Sequence, residues 1–284
     1  MTSSPAVSFG SRLRTSVGSR GALCVGIDPH PALLAQWGLS DDVAGLERFT
    51  LTVVEALADR VAVIKPQAAF FERFGSAGVA VLERALVGIR DGGALSIVDA
   101  KRGDIGSTMA AYADAFAGPG SPLAGDAVTV SPFLGFGSLR PLLDLAAASG
   151  TGVFVLALTS NPEGGQVQHA RQPDGKTVAQ TVIDAVAAEN AGASPTGSVG
   201  VVVGATVTGV GREHDLSAIN GPILAPGIGA QGATPDDLRA VFGAARDQVL
   251  PNSSREVLGA GPGVAGLREA AARSVDAVEK ALRA

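Results

Sequence analysis

LSIVDAK, residues 95 to 101, is the stretch on which the reading of this chain turns. It opens apolar and β-branched and ends on Asp99 and Lys101. A continuous apolar run of this kind reads as a parallel strand covered on both faces. Charges at the end of a buried strand are costly, because buried ion pairs seldom add net stability. Asp99 and Lys101 are two apart, so on a strand they point the same way. The continuation RGDIGST, 102 to 108, adds Asp104 beyond the strand end. Spacing alone reads Asp104 as a loop or capping aspartate.

Outward from this stretch, similar runs recur between turn residues. They are LCVGID (23–28), VAVIKPQ (61–67), AVTVSP (127–132), GVFVLALT (152–159), VGVVVGAT (199–206), PILAPGIG (222–229) and QVLPNSS (248–254). Helix-period stretches lie between them. DDVAGLERFTLTVVEALADR (41–60) puts Leu46, Phe49, Val53 and Leu57 on one face. The stretches 79–91, 138–149, 177–190, 234–247 and 267–284 behave likewise, with Thr234 as N-cap and Pro235 at N1 of the fifth. Eight strand–helix units in 284 residues predict a single (β/α)8 TIM barrel spanning 1–284. A doubly wound sheet is the alternative that the pattern leaves open. Residues 1–20 read as a leading segment with a short helix, without the apolar core of a secretory signal. Residues 161–176 are a long polar loop of the kind that covers active sites.

A barrel carries its chemistry at the C-terminal strand ends. Asp28 ends the first run, Lys65 lies near the end of the second, and Asp99 and Lys101 end the third. Thr159 and Ser160 lie at the end of the fifth, Pro226, Gly227 and Gly229 at the end of the seventh, and Ser253, Ser254 and Arg255 at the end of the eighth. Each charge alone reads as a salt bridge at a strand end. Together they read as a site. The glycine-rich APGIGAQG (225–232) and the following NSSR (252–255) offer amides, hydroxyls and a guanidinium to a phosphate.

Composition narrows the classes. Net charge is −5, no basic run is present, and one Trp and one Tyr make stacking platforms for nucleic acid improbable. No apolar run reaches the roughly 20 residues of a membrane span. The single cysteine, Cys24, lies in an apolar run and fits a reducing cytoplasm. His30, His169 and His214 are scattered without metal-ligand spacing, and there is no GxSxG elbow, Walker A loop or complete GxGxxG. No metal and no cofactor are expected.

DAKRGD fits the D-x-K-x-x-D motif of the orotidine 5′-phosphate decarboxylase family. CVGIDPHP, VIKPQAAFFERFG, LTSNPEG, APGIGAQG and NSSR, in this order, resemble its longer bacterial subgroup (type 2), from about Phe9 to the region of Gly263. The resemblance implies decarboxylation of orotidine 5′-phosphate to uridine 5′-phosphate in a cytoplasmic homodimer. It implies that Lys101 protonates C6 of the pyrimidine and that Asp99 faces the substrate carboxylate. Lys65 and Asp28 match positions that hold ribose hydroxyls and complete the charge array. Asp104 and Thr108 match residues that reach the partner subunit's site. Ser160 matches the pyrimidine-binding serine. Gln231 and Arg255 match the phosphate grip, helped by backbone around Gly229 and Gly232, with Pro226 among the substrate-binding positions. Related magnesium-dependent sugar-phosphate lyases share the motif but resemble proteins with an acid on strand two, where this chain has Lys65. A Schiff-base aldolase and a non-catalytic nucleotide-phosphate binding protein are the remaining alternatives.

Overall fold

The computed structural model describes residues 7–207, 214–227 and 241–283. Eight parallel strands close a barrel in chain order. They are β1 (Cys24–Ile27), β2 (Val63–Pro66), β3 (Leu95–Arg102), β4 (Ala127–Val130), β5 (Gly152–Leu158), β6 (Val199–Val203), β7 (Ile223–Pro226) and β8 (Val249–Ser253). Cys24 stands opposite Asn252 and Val25 opposite Ser253, so β1 pairs with β8. That pairing settles the choice left by the sequence pattern, since an open doubly wound sheet keeps two free edges.

The principal outer helices are α1 (Phe9–Arg20), α2 (Pro31–Gln36), α3 (Val43–Leu57), α4 (Ala68–Glu72), α5 (Gly75–Asp91), α6 (Gly106–Ala117), α7 (Arg140–Ser149), α8 (Gly165–Gln168) and α9 (Val178–Glu189), followed by Val264–Arg283 at the end of the chain. The predicted stripe of α3, Leu46, Phe49, Val53 and Leu57, is fully buried. Asp42 caps α3 by accepting from Gly45 N, and Thr177 caps α9 by accepting from Gln180 N. Of the helix expected over 234–247, residues 234–240, with Thr234 and Pro235, lie outside the described residues. Gly243–Gln248 is a 3₁₀ helix that begins on Gly243 at φ +47°.

Strand alternation sorts the core into two layers. Outward residues pack under the helices. Inward, each strand contributes one apolar side chain or methyl to a central cluster: Cys24, Val63, Ile97, Ala127, Phe154, Val202, Leu224 and Leu250. Two residues further along, the inward position changes character on four strands. Val63 gives way to Lys65, Ile97 to Asp99, Ala127 to Thr129 and Leu250 to Asn252. The polar layer therefore rests directly on an apolar floor, at the C-terminal end of the barrel.

The opposite end is closed by α1. Phe9 is fully buried against Phe154, ring centroids 5.9 Å apart and edge to face. A β-carbon on Gly152 would lie 2.3 Å from the Phe9 ring, so the space for that ring depends on a glycine. Arg12 pairs with Asp126 and donates to Gly150 O at 3.0 Å, and Ser16 donates to Ala62 O at 3.0 Å. Within the expected leading segment, the helix α1 is thus the plug of the barrel's base.

Candidate active site

The site is built on the adjacent strands β2, β3 and β4. Asp99 lies between two ammonium groups. Lys65 Nζ donates to Asp99 Oδ2 at 2.8 Å, and Lys101 Nζ donates to Asp99 Oδ1 at 2.6 Å. Thr129 Oγ1 donates to Asp99 Oδ1 at 2.8 Å, and Gln67 Nε2 donates to the Asp99 carbonyl at 3.1 Å. The two lysines differ in access. The Lys65 side chain is 5% exposed and that of Lys101 is 44% exposed. Lys65 is a buried counter-charge, and Lys101 presents its ammonium to the cavity.

Burial alone would push the Asp99 carboxyl up, but the Lys65 and Lys101 ammoniums outweigh it and hold Asp99 well below the usual carboxylate range. Burial would likewise lower Lys65, but Asp99 first and Asp28 next overcome it and raise it. Both partners stay charged because each is the other's solvation. Beneath them, burial pushes the Cys24 thiol up to about 12, so it remains a neutral core residue.

Above this layer opens a cavity of about 420 Å³, within the range of roughly 300–1,000 Å³ common for small-molecule sites. Asp28, Lys65, Asp99, Lys101, Pro226 and Arg255 line it. One oxygen of Asp28, Oδ1, is buried with no hydrogen-bond partner among the described residues, so a ligand hydroxyl there would satisfy it. A β-carbon on Gly26 would lie 2.1 Å from Ser254 Oγ and 2.9 Å from Asp28 Oδ2. The glycine makes room for both side chains. Arg255 opens the short helix Arg255–Leu258 after β8 and borders the cavity, whereas Glu256 does not. A larger groove of about 870 Å³ runs between α5 and the segment after α6, but no buried ionisable group lines it.

Three other predicted residues lie outside this lining. Asp104 follows β3, and its Oδ1 accepts from Ile105 N at 2.8 Å. Thr108 is exposed on α6, and Ser160 is exposed just beyond Thr159. Gly229, Gln231 and Gly232 fall outside the described residues. The long loop folds back over the barrel mouth at one point. Gln168, at the end of α8, accepts from Thr159 N at 2.9 Å and donates to Thr159 Oγ1 at 2.6 Å. Thr159 lines the cavity. Ser254, singled out in the sequence at the end of the eighth run, also lines the cavity, whereas sequence reading passed over His30, Gln67, Thr129 and Asn252 as individual cavity residues. The signal available for three of them was strand period: Gln67, Thr129 and Asn252 each lie on or just past a strand, two residues beyond an inward position.

A closed (β/α)8 barrel with a cation–carboxylate–cation array and a cavity at the C-terminal ends of its strands is the architecture of a barrel enzyme. The comparisons narrow that class. Residues 21–270 match the family model described as orotidine 5′-phosphate decarboxylase / HUMPS family. An orotidine 5′-phosphate decarboxylase of Salinispora arenicola is 67% identical over 266 residues, covering 94% of this chain and 95% of that one. Its counterpart from Streptomyces coelicolor is 63% identical over 276 residues, covering 97% and 99%. A crystal structure from Streptomyces avermitilis, provisionally called an orotidine 5′-phosphate decarboxylase, superposes with a TM-score of 0.97 at 62% identity, covering 100% of this chain and 99% of that one. The chain belongs to the orotidine 5′-phosphate decarboxylase / HUMPS family. Among the described residues no helix is long and apolar enough to cross a membrane.

Proposed function

We propose that this protein converts orotidine 5′-phosphate to uridine 5′-phosphate and CO₂, the last step of de novo pyrimidine nucleotide synthesis. The observation that carries the reading is the Asp99 carboxylate held between Lys65 and Lys101, at 2.8 and 2.6 Å. Breaking the C6–carboxylate bond leaves its electron pair on C6, in the plane of the ring, where the π system cannot take it up. Fixed cations in a site already paid for by folding stabilise such a charge without reorganising during the reaction. The Lys101 ammonium is the one with access to the cavity. It stabilises the developing carbanion, transfers a proton from Nζ to C6, and regains one from solvent.

Asp99 lies against the departing carboxylate and keeps both lysines oriented. Asp28 and Lys65 hold the ribose hydroxyls, an assignment that the unpartnered Asp28 oxygen supports. Ser160 contacts the pyrimidine. Arg255 and Gln231, with the backbone around Pro226, Gly229 and Gly232, grip the phosphate. Binding energy from that remote group lowers the barrier at C6, so a substrate lacking phosphate loses kcat as well as affinity. Two copies assemble as a homodimer in which Asp104 and Thr108 enter the partner's site. Exposed Ile105, Phe133 and Leu134 offer apolar surface for that contact. The cytoplasm is the proposed compartment, in keeping with the one buried, unpaired cysteine.

The test is direct. Purified protein with orotidine 5′-phosphate is expected to release CO₂ and form uridine 5′-phosphate in equal amounts, with the accompanying ultraviolet change. Folded protein that forms neither product contradicts the reading.

A further inference from the structure

The end of β3 is irregular in a way that one side chain on β4 accounts for. Val98 stands opposite Val128, but the next pairing is Arg102 opposite Val130. The chain advances four residues along β3 for two along β4, so β3 bulges across Asp99, Ala100 and Lys101. At the turn of the bulge Lys101 has φ +48°, one of two described non-glycine residues with positive φ. That conformation costs free energy for a residue with a β-carbon and persists only where its surroundings impose it.

Thr129 supplies the constraint. Its Oγ1 accepts from the Lys101 backbone N–H at 3.0 Å, in place of a ladder carbonyl. The same oxygen donates to Asp99 Oδ1 at 2.8 Å. A hydroxyl has one hydrogen. Since the Lys101 N–H is a donor, the Thr129 hydrogen is committed to Asp99, and the chain of bonds has one direction: Lys101 N–H to Thr129 O–H to the Asp99 carboxylate. Thr129 is 1% exposed, so water does not compete for either bond. Its partner oxygen, Asp99 Oδ1, is the one that also receives Lys101 Nζ at 2.6 Å.

We infer that Thr129 is a positioning residue for the reaction: its hydroxyl ties the Lys101 backbone to the Asp99 carboxylate and so sets where the Lys101 ammonium stands. The inference rests on the decarboxylase reading above. It assigns to a neutral side chain on β4 the task of holding a strained bulge in register with the charged array. A hydrophobic residue of the same shape would fill the volume but leave the Lys101 N–H without an acceptor and Asp99 Oδ1 short of one donor.

The experiment compares wild type, Thr129→Val and Thr129→Ser with orotidine 5′-phosphate as substrate and uridine 5′-phosphate as binding probe. Wild-type turnover establishes the decarboxylase reading independently of the variants. Valine is expected to lower kcat by roughly 10- to 100-fold, the loss of one bond to a charged group. KM and product affinity should stay within about threefold, because the groups that hold ribose and phosphate are untouched. Serine, which restores the hydroxyl but not the methyl, should recover kcat to within about fivefold of wild type. A purely structural Thr129 would instead lower thermal stability in both variants without separating kcat from KM. Should the valine variant fail to fold, Thr129→Cys, whose thiol is a weak donor and acceptor, takes its place. Wild-type kcat in the valine or cysteine variant, or a serine variant no better than valine, overturns the inference.

Discussion

Lys65 Nζ stands 2.8 Å from Asp99 Oδ2 with both side chains sealed inside the barrel, 5% and 9% exposed. The pair is the foundation of the charged layer. Removing Asp99 takes from buried Lys65 its directly bonded counter-charge and leaves Asp28 as the nearby acid, over an apolar floor. Asp99→Ala is expected to destabilise the fold by about 3–5 kcal/mol, measured by urea unfolding. Replacing both members with apolar residues, in Lys65→Met combined with Asp99→Ala, should recover at least half of that stability while activity stays lost. A fully stable single variant would show that the pair is hydrated in solution.

The same pair sets a pH dependence. Asp99 is held below its unfolded value, so its contribution is fully present above roughly pH 4 and is lost as pH falls further. Lys65 is raised above its unfolded value, so its contribution is complete below about pH 10 and is lost as pH rises through the folded value. The stability difference between wild type and the Lys65→Met, Asp99→Ala double variant should therefore be flat from about pH 5 to 9 and shrink on the acid side. Urea midpoints measured across that range check it. A difference that changes through neutral pH would mean that another group titrates with the array.

At the other end of the barrel, Phe9 is a structural keystone remote from the chemistry. Phe9→Ala is expected to cost about 3–5 kcal/mol, the usual range for emptying a buried aromatic site. Its kcat at a temperature where it is folded should stay within about threefold of wild type, since the apolar layer separates it from the charged one. A large loss of kcat in folded Phe9→Ala would show that the base and mouth of the barrel are coupled.

The strands were legible because parallel strands covered on both faces read as unbroken apolar runs. Each observed strand falls within its predicted run, save that β3 continues to Arg102. α1 was legible only as a short helix, and its role was not. Its sequence, FGSRLRTSVGSR, is largely polar, and the side chains that plug the barrel, Phe9 and Leu13, make a faint signal. Among site residues, the charged ones stood out against apolar strands. Lys65 and Asp99 meet across adjacent strands at inward positions, whereas Lys101 reaches Asp99 from a bulge that breaks the strand period expected between them. Thr129 did not stand out, because threonine is an ordinary strand residue. Its importance arises from a bulge in the neighbouring strand, and no property of Thr129 itself announces that bulge.

Asp104 offers a test of the proposed dimer. Lys101→Ala and Asp104→Ala should each be nearly inactive alone. Mixed in equal amounts and allowed to exchange subunits, they should recover activity towards about a quarter of wild type, because half the dimers are mixed and each mixed dimer has one intact site. Activity assays before and after exchange read this out. No recovery despite demonstrated exchange would place Asp104 in its own chain's site or outside the reaction.

The most direct measurement of the central claim is single-turnover decarboxylation of orotidine 5′-phosphate by wild type and by Lys101→Ala, with folding and uridine 5′-phosphate binding checked in both. If Lys101 stabilises the carbanion and protonates C6, the alanine variant should lose at least about 10³-fold in the rate of CO₂ release while still binding nucleotide. A folded Lys101→Ala variant that binds nucleotide and releases CO₂ at close to the wild-type rate would contradict the account.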